Sequence, residues 1–330
     1  MESLAISSRF VKRFFIDLSK IGNNMIDDWP KACNNAHMRR ISTEKRATIL
    51  NALVEGNSVN STARLCGCSK ITILRLLADI GVLCERLHDD LVQGLQAERV
   101  QADEIWSFVH AKDKNLPDHL SDKPGYGSVW TWTALDADTK LMIAYHVGDR
   151  GESCAKAFML DLASRLDNRI QLTTDGHAAY LGAVFEAFGR DIDYAQLVKL
   201  YGAPRDGQAR YSPCECVGAR KVPITGGPLS CDTSTSHVER SNLTLRMQQR
   251  RFTRLTNAHS KRFENHRHAV SLHVFHYNFI RKHQTLKTTP AVASGIANRP
   301  WTMIELVKTL EDEEAKIGGR LTDYLPASSK

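Results

Sequence analysis

Val100–Val109, VQADEIWSFV, decides the fold. At Val100 a helical apolar pattern gives way to a run that reads as a strand. Working downstream, a polar loop from Ala111 to Gly125 carries Pro117 and Pro124. Ser128–Leu135 and Lys140–Val147 flank the turn sequence Asp136–Thr139, which predicts a hairpin. Glu152–Leu166 has helical periodicity, and Ile170–Thr174 is a short buried strand that ends at Asp175-Gly176. His177–Phe188 reads as a helix and Ile192–Leu200 as a fifth strand.

Three successive strands followed by helix, strand, helix and strand is the element order of an RNase H-like fold, an α/β mixed sheet with helices on both faces. Residues 202–235, rich in Gly, Pro, Ser, Thr and Cys, read as an inserted loop. Long helices are predicted over 237–255 and 264–283, then a separate short helix and a frayed end after Pro300.

Upstream of Val100 the pattern is all-α. Ser42 or Thr43 can cap a first helix carrying Ala47, Ile49, Leu50 and Leu53, which Gly56 stops. Val59–Cys66 forms a second and Gly67 a turn. Ser69 caps a third helix, which carries Ile71, Ile73, Leu74, Leu76 and Leu77 and stops near Gly81. Two short helices around a tight glycine turn predict a helix-turn-helix, whose Lys70, Thr72 and Arg75 could reach a DNA major groove. The expected organisation is a lead-in over 1–40, a helix-turn-helix domain with connector over 41–99, an RNase H-like domain over 100–295 containing the 202–235 insert, and a tail over 296–330.

With 330 residues the chain can build two or three domains. Its net charge of +7 permits a polyanionic partner. The excess is concentrated: between Ser236 and Lys287 eleven Lys and Arg face only Glu239 and Glu264, a local charge of +9. No apolar run approaches the roughly 20 residues of a membrane span. The eight cysteines are scattered, which predicts free thiols in a reducing bacterial cytoplasm at the nucleoid.

Two-metal phosphoryl transfer needs hard oxygen ligands converging from different elements. Asp103 lies within the first strand, Asp175 at the carboxyl end of the fourth, and Glu239 in the first turn of a helix that Ser234, Thr235 or Ser236 can cap. There the helix dipole favours its ionised form. At 100° per residue Glu239, Asn242, Arg246, Arg250 and Arg254 share a helix face, predicting a carboxylate followed by arginines that meet a DNA backbone.

The surrounding sequence resembles a known family. DEIWSFV at 103–109 and HVERSNLTLR at 237–246 are similar to the first and third catalytic blocks of insertion-sequence-1-type transposases. TTDG at 173–176, with Tyr180 after it, resembles the middle block, and YNFIRKH at 277–283, with Leu286 and Thr289-Pro-Ala291, the closing segment. The resemblance covers about 100–295. It implies that Asp103, Asp175 and Glu239 form a DDE triad holding two Mg²⁺ ions, with Mn²⁺ as a substitute, and that Asn242 and Arg246 are polar residues of the third block. Partners implied are double-stranded DNA, as element ends and as target, and a homodimer or larger assembly. The chain departs from the family pattern in having only Cys33 and His37 where a cysteine-rich zinc module precedes the helix-turn-helix, and in the Cys-containing insert.

Other features read more plainly. Cys214, Cys216 and Cys231 with His237 fit free loop thiols better than a zinc site. Cys66 and Cys68 fit small buried fillers, and Trp106, Trp130 and Trp132 core positions. His259, His266, His268, His273, His276 and His283 fit surface or DNA-facing histidines. Beside a transposase stand two alternatives: a domesticated nuclease that cleaves without joining, and a DNA-binding regulator with an inactive catalytic domain.

Overall fold

The computed structural model describes residues 41–121, 123–202, 216–253 and 257–324, which belong to one compact unit. Three helices open it: α1 (Thr43–Val54), α2 (Val59–Cys66) and α3 (Lys70–Leu91). Each is capped by a serine that accepts the backbone N–H three residues on, Ser42 from Lys45, Ser58 from Ser61 and Ser69 from Thr72. Gly67 ends α2 in the left-handed conformation at φ 55°, a geometry that a side chain would strain.

The expected stop at Gly81 is corrected: α3 runs through it for 22 residues. The glycine serves packing instead. A β-carbon on Gly81 would lie 2.3 Å from that of His268, so its absence lets α3 and a later helix touch backbone to backbone.

Then come β1 (Arg99–Val109), a short helix α4 (Asp118–Ser121), β2 (Gly127–Asp136), β3 (Met142–Gly148), α5 (Glu152–Ser164), β4 (Gln171–Asp175), α6 (Ala179–Phe188), β5 (Asp193–Tyr201) and β6 (Cys216–Thr225). The sheet order is β3-β2-β1-β4-β5-β6. β1, β2 and β3 pair antiparallel, β4 and β5 run parallel to β1, and β6 closes antiparallel on β5. This is a mixed sheet with flanking helices, consistent with an RNase H-like core. The hairpin turn is held by Asp136, whose carboxylate accepts the backbone N–H of Asp138 and of Thr139. The expectation of a plain loop over 202–235 is corrected by β6, which extends the sheet by a sixth strand.

The chain finishes with α7 (Ser236–Gln248), α8 (Phe263–Phe275), a π-helical turn at His276–Ile280, α9 (Pro290–Ala293), α10 (Met303–Ile317) and α11 (Leu321–Tyr324). Helix α5 packs on one sheet face with α6 beside it. On the other face α7 and α8 bury Val238, Leu245, Val270 and Val274 against Ile105, Leu135 and Met142. The opposite side of α8 buries Ala269 and Leu272 in the core shared with α3.

Being covered on both sides corrects the reading of the α8 histidines as surface residues. His266 and His273 are fully buried and His276 nearly so, while His268 is half-buried. His266 lies between the hydroxyls of Ser107 (3.1 Å) and Ser260 (3.0 Å). Among the tryptophans Trp132 is fully buried, whereas Trp106 and Trp130 are half-buried. The helix after Pro300 is α10, which starts with a Thr302–Glu305 capping box and packs on α1.

The predicted helix over 237–255 is likewise corrected. It ends at Gln248; Gln249 is extended, and a 3₁₀ turn at Arg250–Phe252 follows. Phe252, at the end of that turn, is buried beside the His266 ring. No helix among the described residues is long and apolar enough to cross a membrane.

Candidate metal centre and nucleic-acid interface

The site forms where β4 ends. The last β1–β4 pair is Ala102 with Thr174, so Asp103 and Asp175 follow at neighbouring positions, Asp175 as the final residue of its strand. Strand alternation sends Glu104 toward the opposite sheet face. β4 has ended there, and the Glu104 carboxylate nevertheless lies close to those of Asp103 and Asp175. Asp103, Glu104 and Asp175 can each offer a carboxylate oxygen within 4.8 Å of the other two.

Other side chains hold this cluster in shape. Arg150 donates from Nε to Glu104 Oε1 (2.8 Å), with its guanidinium 4.4 Å from the Trp130 ring centre. Tyr180 donates its hydroxyl to Glu104 Oε2 (3.1 Å). The Asp175 carboxylate accepts the backbone N–H of His177 (3.0 Å), fixing the turn after β4. Asn242 on α7 donates to Asp103 Oδ2 (2.9 Å) and accepts from Thr133 (3.2 Å).

Burial, then the neighbouring charges of Glu104 and Asp175, pushes the Asp103 carboxyl up to about 7. Burial and then Asp175 raise Glu104 as well, against the pull of Arg150. Three crowded carboxylates repel one another, and a divalent ion would relieve that repulsion. Their hard oxygen donors suit Mg²⁺ or Mn²⁺ rather than a thiophilic metal.

Helix α7 is anchored from the same strand. Gln101 Oε1 accepts the backbone N–H groups of His237 (2.9 Å) and Val238 (3.2 Å), so β1 itself caps the helix. Glu239 lies in the first turn, as the sequence predicts, but its carboxylate is outside the three-membered cluster. Its Oε1 accepts Lys199 Nζ from β5 (2.6 Å) and the Thr235 hydroxyl. Asn242, one turn further along, is the helix's contact to Asp103.

The structure therefore brings Asp103 and Asp175 together and places Glu239 on the helix that contacts Asp103 through Asn242. It adds three residues that sequence reasoning missed: Glu104, Lys199 and Gln101. Only Glu104 carried a signal, its place beside Asp103 in the first block.

The residues predicted to meet DNA are spread over two regions. Lys70 opens α3 and lines a groove of about 730 Å³ whose far wall includes Arg250, Arg251 and Lys261. Among the described residues no Asp or Glu lines that groove; Asn57, Asn60, Asn257 and Asn265 do. Thr72 pairs with the Ser69 hydroxyl (2.9 Å), whereas the Arg75 side chain is exposed. Asn242 and Arg246 lie on α7, the latter half-buried in its last turn. Arg250 belongs to the 3₁₀ turn, so the five-residue face predicted from Glu239 ends at Arg246; Arg254 lies outside the described residues. Cys216 and Cys231 are exposed free thiols, and Cys33, His37 and Cys214 also lie outside the described residues.

No protein-family model matches the chain, and no curated protein does. Two solved structures are similar to it in part. One is described as a pre-cleavage Mos1 transpososome, at 12% identity and a TM-score of 0.20, covering 52% of this chain and 62% of its own. The other is described as the Mos1 strand transfer complex, at 11% identity and a TM-score of 0.20, covering 78% and 80%. The chain thus spans less than two thirds of the first. With TM-scores this low, neither match bears on function, which is read from the site.

Proposed function

We propose that the chain is a DDE-type transposase of the insertion-sequence-1 type, cleaving DNA at element ends and joining the freed strand to target DNA. The observation that carries the reading is the meeting of Asp103 and Asp175 at the end of β4, with α7 laid across them through the Asn242–Asp103 hydrogen bond. Glu239 stands one turn from that bond, and the three sequence blocks resembling the family's fall on these elements.

In this reading Asp103, Asp175 and Glu239 hold two Mg²⁺ ions, with Mn²⁺ as a substitute. Bound metal supplies Lewis acidity and a water made nucleophilic near neutral pH. Asn242 turns the Asp103 carboxylate toward the site, and Arg150 and Tyr180 hold the Glu104 carboxylate in place beside it. In the reaction, water bonds to phosphorus as the P–O3′ bond breaks, and the departing 3′-oxygen takes a proton. That 3′-hydroxyl then displaces the 3′-oxygen of a target phosphodiester, so no protein–DNA bond is needed.

Arg246 on α7, with Lys70, Arg250 and Arg254, contacts phosphate. Helices α2 and α3 act as a helix-turn-helix on double-stranded element ends, with Thr72 and Arg75 toward the bases. The proposed division keeps a helical DNA-binding region over 41–99, a catalytic region over 100–295 and a tail over 296–330, working as a homodimer or larger assembly.

The test is a cleavage and joining assay on DNA flanking the coding region. Mg²⁺-dependent nicking and joined product are expected from the wild-type chain and neither from Asp103→Asn or Asp175→Asn. A correctly folded wild-type chain that cuts nothing with either Mg²⁺ or Mn²⁺ would sink the proposal.

A further inference from the structure

Four carboxylates share this corner of the fold: Asp103, Glu104, Asp175 and Glu239. Two cations answer them, Arg150 on Glu104 and Lys199 on Glu239. Counting every carboxylate as ionised, the formal charge is −2, enough to balance one divalent ion but not two.

The two cations are held differently. Arg150 is clamped by two hydrogen bonds to Glu104 and by the Trp130 ring. Lys199 projects from β5, two residues beyond the partner of Asp175, on a flexible four-carbon stem. It meets Glu239 through its ammonium alone, and the charge of Asp103 also draws on it. One cation is a fixture, and the other can leave.

We infer that Lys199 is a latch on Glu239: in the metal-free protein its ammonium occupies the position at which Glu239 would hold a cation. The inference rests on the proposed metal reading and deepens it. One divalent ion can enter at Asp103, Glu104 and Asp175 while Glu239 stays closed. A second requires Lys199 to release Glu239, and a DNA phosphodiester is the anion that can take the ammonium away. Full loading is thereby tied to the presence of substrate.

Titrating the metal-stripped full-length chain with Mn²⁺ alone, and following free Mn²⁺ by electron paramagnetic resonance, tests this. The wild-type chain should bind one Mn²⁺ tightly and a second more weakly. Lys199→Met should tighten the second ion by up to about fivefold, the upper worth of a partly exposed ion pair. Lys199→Arg should keep the wild-type pattern, and the Lys199→Met/Glu239→Gln double variant should lose the second ion. Lys199→Gln gives the same reading should the methionine variant not fold.

A second ion unchanged by Lys199→Met, or two equally tight ions on the wild-type chain, would overturn the latch. Failure of the wild-type chain to bind any Mn²⁺ would instead overturn the metal reading beneath it. In EDTA, Glu239→Gln should free the ammonium and steepen the salt dependence of binding to a random duplex by about 0.9, one phosphate contact. The double variant should lose that gain; if it keeps it, phosphate is not what opens the latch.

Discussion

Gly81 on α3 and His268 on α8 touch so closely that a β-carbon on the glycine would lie 2.6 Å from the His268 α-carbon. Backbone cannot yield as a side-chain tip can, so Gly81→Ala should force the two helices apart. Overpacking of this kind costs roughly 1–3 kcal/mol and should outweigh the gain of about 1 kcal/mol from replacing a mid-helix glycine. Urea unfolding measures the balance; an alanine variant as stable as wild type would mean that α8 shifts freely.

The cap that Gln101 places on α7 predicts a linked loss of stability and site geometry. Gln101→Leu leaves the His237 and Val238 N–H groups without that acceptor, at a cost of about 1–2 kcal/mol by analogy with a lost helix cap. Because Gln101 precedes Asp103 by two residues on the same strand face, Mn²⁺ affinity should fall with it. Full affinity in a destabilised Gln101→Leu chain would separate the cap from the site.

Crowding of Asp103, Glu104 and Asp175 within 4.8 Å sets metal-free stability against metal binding. Asp103→Asn should be more stable than wild type in EDTA at pH 8, because one of three repelling charges is gone. Adding Mg²⁺ at about 100 times its Kd should stabilise wild type by roughly 2.7 kcal/mol and leave the variant nearly unmoved. Equal Mg²⁺ responses in a thermal melt would place the ion elsewhere.

Five histidines make the fold acid-sensitive. Burial, as the largest cause, pulls His88, His268 and His276 down to about 4 and His266 and His273 down to about 3. All lie below the usual value near 6.5, so the unfolded chain takes up protons first as the pH falls. Their stabilising effect is complete above about pH 6.5 and drains away below it, by up to about 1.4 kcal/mol per pH unit for each residue. Neither ring nitrogen of His273 has a hydrogen-bond partner. His273→Phe should therefore flatten the fall in stability between pH 6.5 and 4.5 by about one histidine's share; an unchanged slope would mean that His273 is already charged in the fold.

The groove lined by Lys70, Arg250 and Lys261 predicts sequence-independent DNA affinity. Converting all three to Ala should reduce the slope of log binding constant against log salt by about 2–3 units, equally for specific and random duplexes. No change in slope would leave the groove without a phosphate.

What the sequence disclosed and what it hid divide along physical lines. Local signals were legible: the Ser69 cap, Ser42 as one of two candidate caps, the Gly67 turn and the first five strands, whose apolar residues mark them. Strand β6 was not, because both its faces are largely exposed and no alternation marks it. Gly81 read as a stop because the reason for a mid-helix glycine lay 187 residues away at His268. Glu104 was hidden by the same alternation rule that located Asp103, since it sends adjacent strand residues to opposite faces. Lys199 had no local signature; parallel pairing of distant strands brings it to Glu239.

Helix α10 carries a consequence for how the chain is made. Thr43 donates to Glu311 and Arg46 reaches Glu314 at 3.1 Å, both across 268 residues of sequence. Helix α1 is thus made long before the α10 face that covers it. A chain truncated before Met303 keeps that surface open, and one ending near residue 95 would also lack the α8 face on which α3 rests.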